Sequence, residues 1–290
     1  MLAERRVDRG IRGLTAGALL LVGCESSNTQ PVIPAETPLP SATEIVEFLD
    51  PEIKAIFDEV YTEHGVIISI QRARGNPNVY QEAKIIASTL EKIPAAGYLL
   101  NGGIGINKDN KFYGKERLDV IPFFDVDRGG FALIVGYNFD PDSKEGTENI
   151  IGRETQGELL EWITAHEAGH MFTNRVQYDP SSFSVNHPVH KTFAQLIGYE
   201  VRMRSFKRTE TQSEDVPIWS MVSPARSFVR TGHAGNIEET FADYFAMSIL
   251  YPERMSEEER GYFDIIHAGL RKNPESFVED IRRDPQLLLQ

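Results

Sequence analysis

A chain of 290 residues can bury a sizeable core, and its 41% hydrophobic and 25% charged residues are those of an ordinary globular protein. A formal net charge of -13, with no basic stripe to offset it, argues against recognition of nucleic acid or of anionic lipid head groups. The single cysteine, Cys24, excludes an intrachain disulfide and a Cys-based zinc site.

In chain order, Arg5, Arg6, Arg9 and Arg12 make a basic start. Residues 14–23 (L-T-A-G-A-L-L-L-V-G) are then too short an apolar run to span a bilayer as a helix, but suit a signal-peptide core. The run ends in Leu21-Val22-Gly23-Cys24, which resembles the bacterial lipobox. That resemblance implies removal of residues 1–23, lipid attachment at Cys24, and a mature protein anchored extracytoplasmically in a bacterial cell envelope. Residues 25–42 carry four prolines among small polar residues and read as an extended tether. One folded domain is expected over 43–290.

Helical spacing of Ile45, Phe48, Leu49, Ile53, Ile56, Phe57 and Val60 predicts a helix over 43–61, with Thr43 as its cap and Gly65 beyond its end. Residues 66–70 read as a buried strand, followed by a turn at 75–78, and 79–93 as a helix stopped by Pro94. The glycine-rich region 98–137 lacks G-x-x-x-x-G-K, so hairpin turns are expected there rather than a phosphate loop. Within it, 131–137 (F-A-L-I-V-G-Y) is the strongest strand pattern in the chain. Residues 138–155 read as polar loop, followed by helices at about 156–175 and 189–206, a polar loop at 209–215, and a helix at 236–250. The charged helical tail from Glu257 is expected to pack on the outside. The sum is an α+β domain, its N-terminal half mixed and its C-terminal half helical.

Residues 162–173 read W-I-T-A-H-E-A-G-H-M-F-T, placing His166, Glu167 and His170 in the order His-Glu-x-x-His. Residues four apart share a helix face, so both imidazoles can grip one zinc ion while Glu167 sits beside the open position. On a helical wheel Leu159, Trp162, Ile163, His170 and Thr173 fall on the side of His166, so the pair faces inward. Gly169 in mid-helix suggests either a close approach by another group or simple tight packing.

Catalytic zinc takes three protein ligands as a rule. The longer metzincin motif would need a histidine at Val176 and a glycine at Thr173, so that class is disfavoured. The helix at 236–250 carries Glu239 and Asp243 on an otherwise apolar surface. Buried carboxylates need partners, which zinc and a histidine would supply, making Glu239 the third ligand and Asp243 the acceptor for a histidine ring N–H. Two alternatives stay open: the acidic residues favour the positive end of the helix, with Asn236 capping, or Glu238 is the ligand in place of Glu239.

The two segments together resemble the gluzincin metallopeptidases, and E-T-F-A-D-Y-F-A is closest to their anthrax lethal factor-like branch. The resemblance implies a zincin-like fold, one bound Zn2+ and hydrolysis of peptide or protein substrates. It implies Glu167 as general base toward a zinc-activated water. In that branch a tyrosine shortly before the ligand glutamate stabilises the transition state; here His233, six residues before Glu239, would take the role. His187 and His190 are further candidates for lining the cleft. The strand at 131–137 is either an ordinary core strand or the edge strand that pairs with extended peptide. Two other functions stay open, a non-catalytic envelope lipoprotein keeping the fold and a hydrolase of a non-peptide amide; the intact Glu167 weighs against the first.

Overall fold

The computed structural model describes residues 50–71, 78–108, 130–135, 139–144, 155–177, 185–207, 213–221 and 236–290. Among these the architecture is mixed helix and strand, and mostly helical. Helix α1 (Pro51–His64) begins at Asp50, whose side chain accepts from the backbone N–H of Glu52, with Pro51 in the first position. It ends on Gly65 at φ 68°, a left-handed conformation that glycine adopts without penalty. The helix predicted over 43–61 is thus described only from Pro51; Thr43, the tether and Cys24 lie outside the described residues, as does most of the turn expected at 75–78.

Strands β1 (Ile68–Gln71), β2 (Ile104–Lys108) and β3 (Phe131–Val135) form one sheet in the order β1-β2-β3, with both pairings parallel. Between β1 and β2 run α2 (Tyr80–Lys92) and the single turn α3 (Ala96–Leu99). Parallel neighbours need a crossover, so β2 and β3 are not the two arms of one hairpin; the other turns expected between them fall on residues 109–129, outside the described residues. Among the described glycines of this stretch, Gly103 and Gly130 serve close backbone approach. A Cβ on Gly103, which sits at φ +82°, would lie 2.4 Å from the carbonyl oxygen of Ile67. At the far end of β2, the buried Lys108 pairs with the buried Glu82 of α2 and ties helix to sheet.

Helix α4 (Gln156–Val176) opens with a reciprocal capping box between Thr155 and Glu158. Helix α5 (Pro188–Ile197) stops at Gly198, φ 76°. The residues beyond it form β4 (Tyr199–Lys207), paired antiparallel with β5 (Ser213–Met221). The expected helix over 189–206 is therefore wrong in its second half. So is the loop reading of 213–215, and the C-terminal half is not purely helical. Past the glycine, the alternation Y-E-V-R-M-R-S-F-K satisfies a period of two once a partner strand is present.

Helix α6 (Ile237–Leu250) is capped by Asn236, whose side chain accepts from the N–H of Glu238 at 3.0 Å. Helices α7 (Glu257–Lys272) and α8 (Pro274–Arg283) follow. Phe263, Ile266, Leu270, Val278, Ile281 and Leu288 are buried in the same cluster as Phe57, Leu133 and Phe172. The tail is thus part of the core, not an outer layer. Its Arg282 donates to the carbonyls of Arg175 (2.5 Å) and Val176 (2.6 Å), satisfying acceptors that the C-terminal end of α4 leaves open. Among the described residues no helix is long and apolar enough to cross a membrane.

Candidate metal centre

Two helices make the site. α4 is buried on almost every side, so its histidines cannot turn to solvent, and α6 crosses it closely. The crossing is possible because of Gly169: a Cβ there would meet the Cα of Ala242 and the Cβ of Phe245, each at 3.0 Å. Of the two readings of this glycine, tight helix packing describes it, and the neighbour is the helix bearing Glu239.

At the crossing, His166, His170 and Glu239 offer one ligand atom each, all within 4.8 Å of one another. The Nε2 atoms of the two histidines lie 3.1 Å apart. The carboxylate of Glu239 is 3.3 Å from Nε2 of His166 and 3.7 Å from Nε2 of His170. Ligand atoms about 2.0–2.1 Å from a tetrahedral ion lie roughly 3.3–3.4 Å from each other, so the three side chains already stand near the separations such an ion requires. Two nitrogens and a carboxylate oxygen are also the donor set suited to a divalent ion such as zinc.

The outer nitrogen of each ring faces a carboxylate from α6. Nδ1 of His166 is 2.9 Å from Asp243 Oδ1, which can only accept, so Nδ1 carries the hydrogen and the Nε2 lone pair is left for a ligand. Asp243 is fully buried, and its Oδ1 also accepts from the indole Nε1 of Trp162 at 3.3 Å. Nδ1 of His170 lies 3.7 Å from Glu238 Oε1. Glu238 therefore stands behind His170 while Glu239 faces both Nε2 atoms, which separates the two carboxylates that the sequence left as alternatives.

The electrostatics follow from this crowding. Burial alone would lower both histidines. Hydrogen bonds to Asp243 and Glu239 override it and raise His166, and the charges of Glu239, Glu167 and Glu238 push His170 up to about 10. Glu239 is held well below the carboxylate range against the pull of burial, by His170 and then His166. Glu167 is buried beside the pair.

His187 and His190 do not join this group. His187 donates from Nε2 to the carbonyls of Thr173 and Gln177, both at 3.1 Å, and so caps the end of α4. His190 lies against it at 4.2 Å between ring centroids, tilted by 31°, and both rings are buried. His233 lies outside the described residues. The sequence reading did not assign a role to Trp162, although its place on the inward face one turn before His166 was the available signal. It also missed Tyr199, whose hydroxyl bonds Thr240 Oγ1 at 2.8 Å; Thr240 in turn donates to the carbonyl of Asn236 at 2.8 Å, holding the first turn of α6. Comparison with protein-family models, with curated proteins and with solved structures finds no match to this chain.

Proposed function

We propose that the chain is a zinc-dependent endopeptidase of gluzincin type with a zincin-like fold, in which His166, His170 and Glu239 hold the ion. The observation that carries this reading is the facing set of two Nε2 atoms and one carboxylate at 3.1–3.7 Å, with Glu167 buried on the same helix between the histidines. Zinc, when bound, supplies a Lewis acid that acidifies water and polarises a carbonyl. The work of this chain's residues is proton transfer and orientation. Glu167 takes a proton from the attacking water and returns it to the leaving amine. Asp243 keeps His166 in the tautomer that presents Nε2. β3 lies at the edge of its sheet among the described residues, a position from which its backbone can pair with an extended substrate. His233 is the proposed donor to the oxyanion. The lipobox-like segment supports a location outside the cytoplasm, with Cys24 as the lipid-bearing residue.

The test is Glu167→Gln, assayed by identifying cleavage sites in a peptide library with the unaltered protein alongside. Cleavage should fall on the order of a thousandfold with zinc content unchanged. Undiminished cleavage would sink the peptidase assignment and leave a metal site with a structural role.

A further inference from the structure

We infer that Trp162 is a positioning residue of the metal centre: by holding Asp243 it sets how tightly His166, and therefore the site, retains its ion. This rests on the metal-binding reading of the same site. Trp162 and His166 are one turn apart on α4, and both point a ring N–H at the same oxygen, Asp243 Oδ1, at 3.3 and 2.9 Å. Asp243 has no exposed surface, so its orientation depends on protein donors. The indole is itself fully buried and lies stacked against the ring of Tyr251, 6.2 Å away between centroids at the C-terminal end of α6. A fully buried donor therefore holds the carboxylate where His166 needs it. Asp243 and Glu239 are one turn apart on α6, so the same contact locks the register in which Glu239 meets the two Nε2 atoms.

The arrangement has a consequence that simple core packing lacks. An ion on Nε2 of His166 polarises the ring, strengthens its Nδ1–H bond to Asp243 and draws the carboxylate away from the indole. Trp162 should therefore sense occupancy. The chain has two tryptophans, and the other, Trp219, lies on β5.

The experiment uses Zn2+ in competition with a chromophoric chelator, on the full chain and on Trp162→Phe, Asp243→Asn and their double variant. Trp162→Phe should weaken zinc about tenfold, and Asp243→Asn by about 10–100-fold. Because the indole acts through Asp243, the double variant should bind no more weakly than Asp243→Asn alone; additive losses would overturn the proposal, as would unchanged affinity in Trp162→Phe. A second measurement leaves Trp162 in place: in Trp219→Phe the remaining tryptophan emission should change on saturation with zinc, and an unchanged spectrum also overturns the inference. If the parent chain binds no zinc, the metal-centre reading fails and takes this inference with it. If the parent binds zinc and these effects are missing, only the role of Trp162 falls.

Discussion

His166 at the crossing of α4 and α6, and His267 at the seam of α6 and α7, are buried to the same degree, each 6% exposed, yet they titrate in opposite directions. His166 is raised, and its neighbour His170 reaches about 10. His267 is lowered to about 4, by burial and then by the charge of Arg271. His190, tilted against His187 near Phe241, is likewise lowered by burial and then by the charges of His187 and His170. Burial pulls all four rings down; carboxylates reverse it where Glu238, Glu239 and Asp243 reach across from α6 and Glu167 adds its charge from α4. At the other seam His267 meets the rings of Phe245 and Phe263 and one hydroxyl, that of Ser248 at 2.8 Å. Burial by itself thus lowers a core histidine, and the facing carboxylates at the crossing reverse that and complete a group that could hold a cation.

The largest effect should come from removing the carboxylate that faces both Nε2 atoms. Glu239→Ala is expected to weaken zinc by more than the roughly 10–100-fold typical of losing an outer partner, whereas Glu238→Ala should stay within about tenfold. Metal content after dialysis distinguishes them, and equal zinc in both would refute the ligand assignment.

Next comes the acid sensitivity of the second region. His267 ionises near 4 in the folded chain and near 6.5 when unfolded, so protons bind the unfolded chain preferentially as the pH falls. Stability is fully present above about pH 6.5 and is lost toward pH 4, by about 3 kcal/mol for this residue. Urea unfolding at pH 7 and pH 4.5 should show that loss shrink in His267→Gln, and an equal fall in both proteins would contradict it. A smaller effect is expected from turning one class of histidine into the other. Ser248→Asp places a carboxylate beside Nε2 of His267, and it should flatten the acid-side fall by about 1 kcal/mol or more. An unchanged slope would mean that more than the facing group separates the two regions.

The smallest effect concerns the crossing that brings the carboxylates to the histidines. Gly169→Ala gains about 1 kcal/mol of helix propensity but forces a methyl group against Ala242 and Phe245, at a cost of about 1–3 kcal/mol. A net loss of roughly 1 kcal/mol in thermal unfolding, with weaker zinc binding, is expected. A more stable variant with intact metal affinity would show that the helices can part without harm to the site.

What could be read from sequence alone was mostly local. The i, i+4 spacing of His166 and His170, the Asn236 cap, and the stops at Gly65 and Pro94 depend on residues within a few turns of each other; the acids of the second helix were reached only through the chemical need of buried carboxylates for partners. The 3.6-residue repeat does not reveal where a second helix crosses, so neither Trp162 as a donor to Asp243 nor Glu238 behind His170 could be read from it. The parallel pairing of β2 with β3, the β4–β5 ribbon in place of a longer helix, and the burial of the C-terminal tail were decided by tertiary structure. Strand partners and core neighbours come from segments distant in the chain, and the period of a short amphipathic run fits helix or strand until its partner is present. The two classes of histidine were beyond the sequence for the same reason: the charge of a buried ring is set by what faces it across the fold.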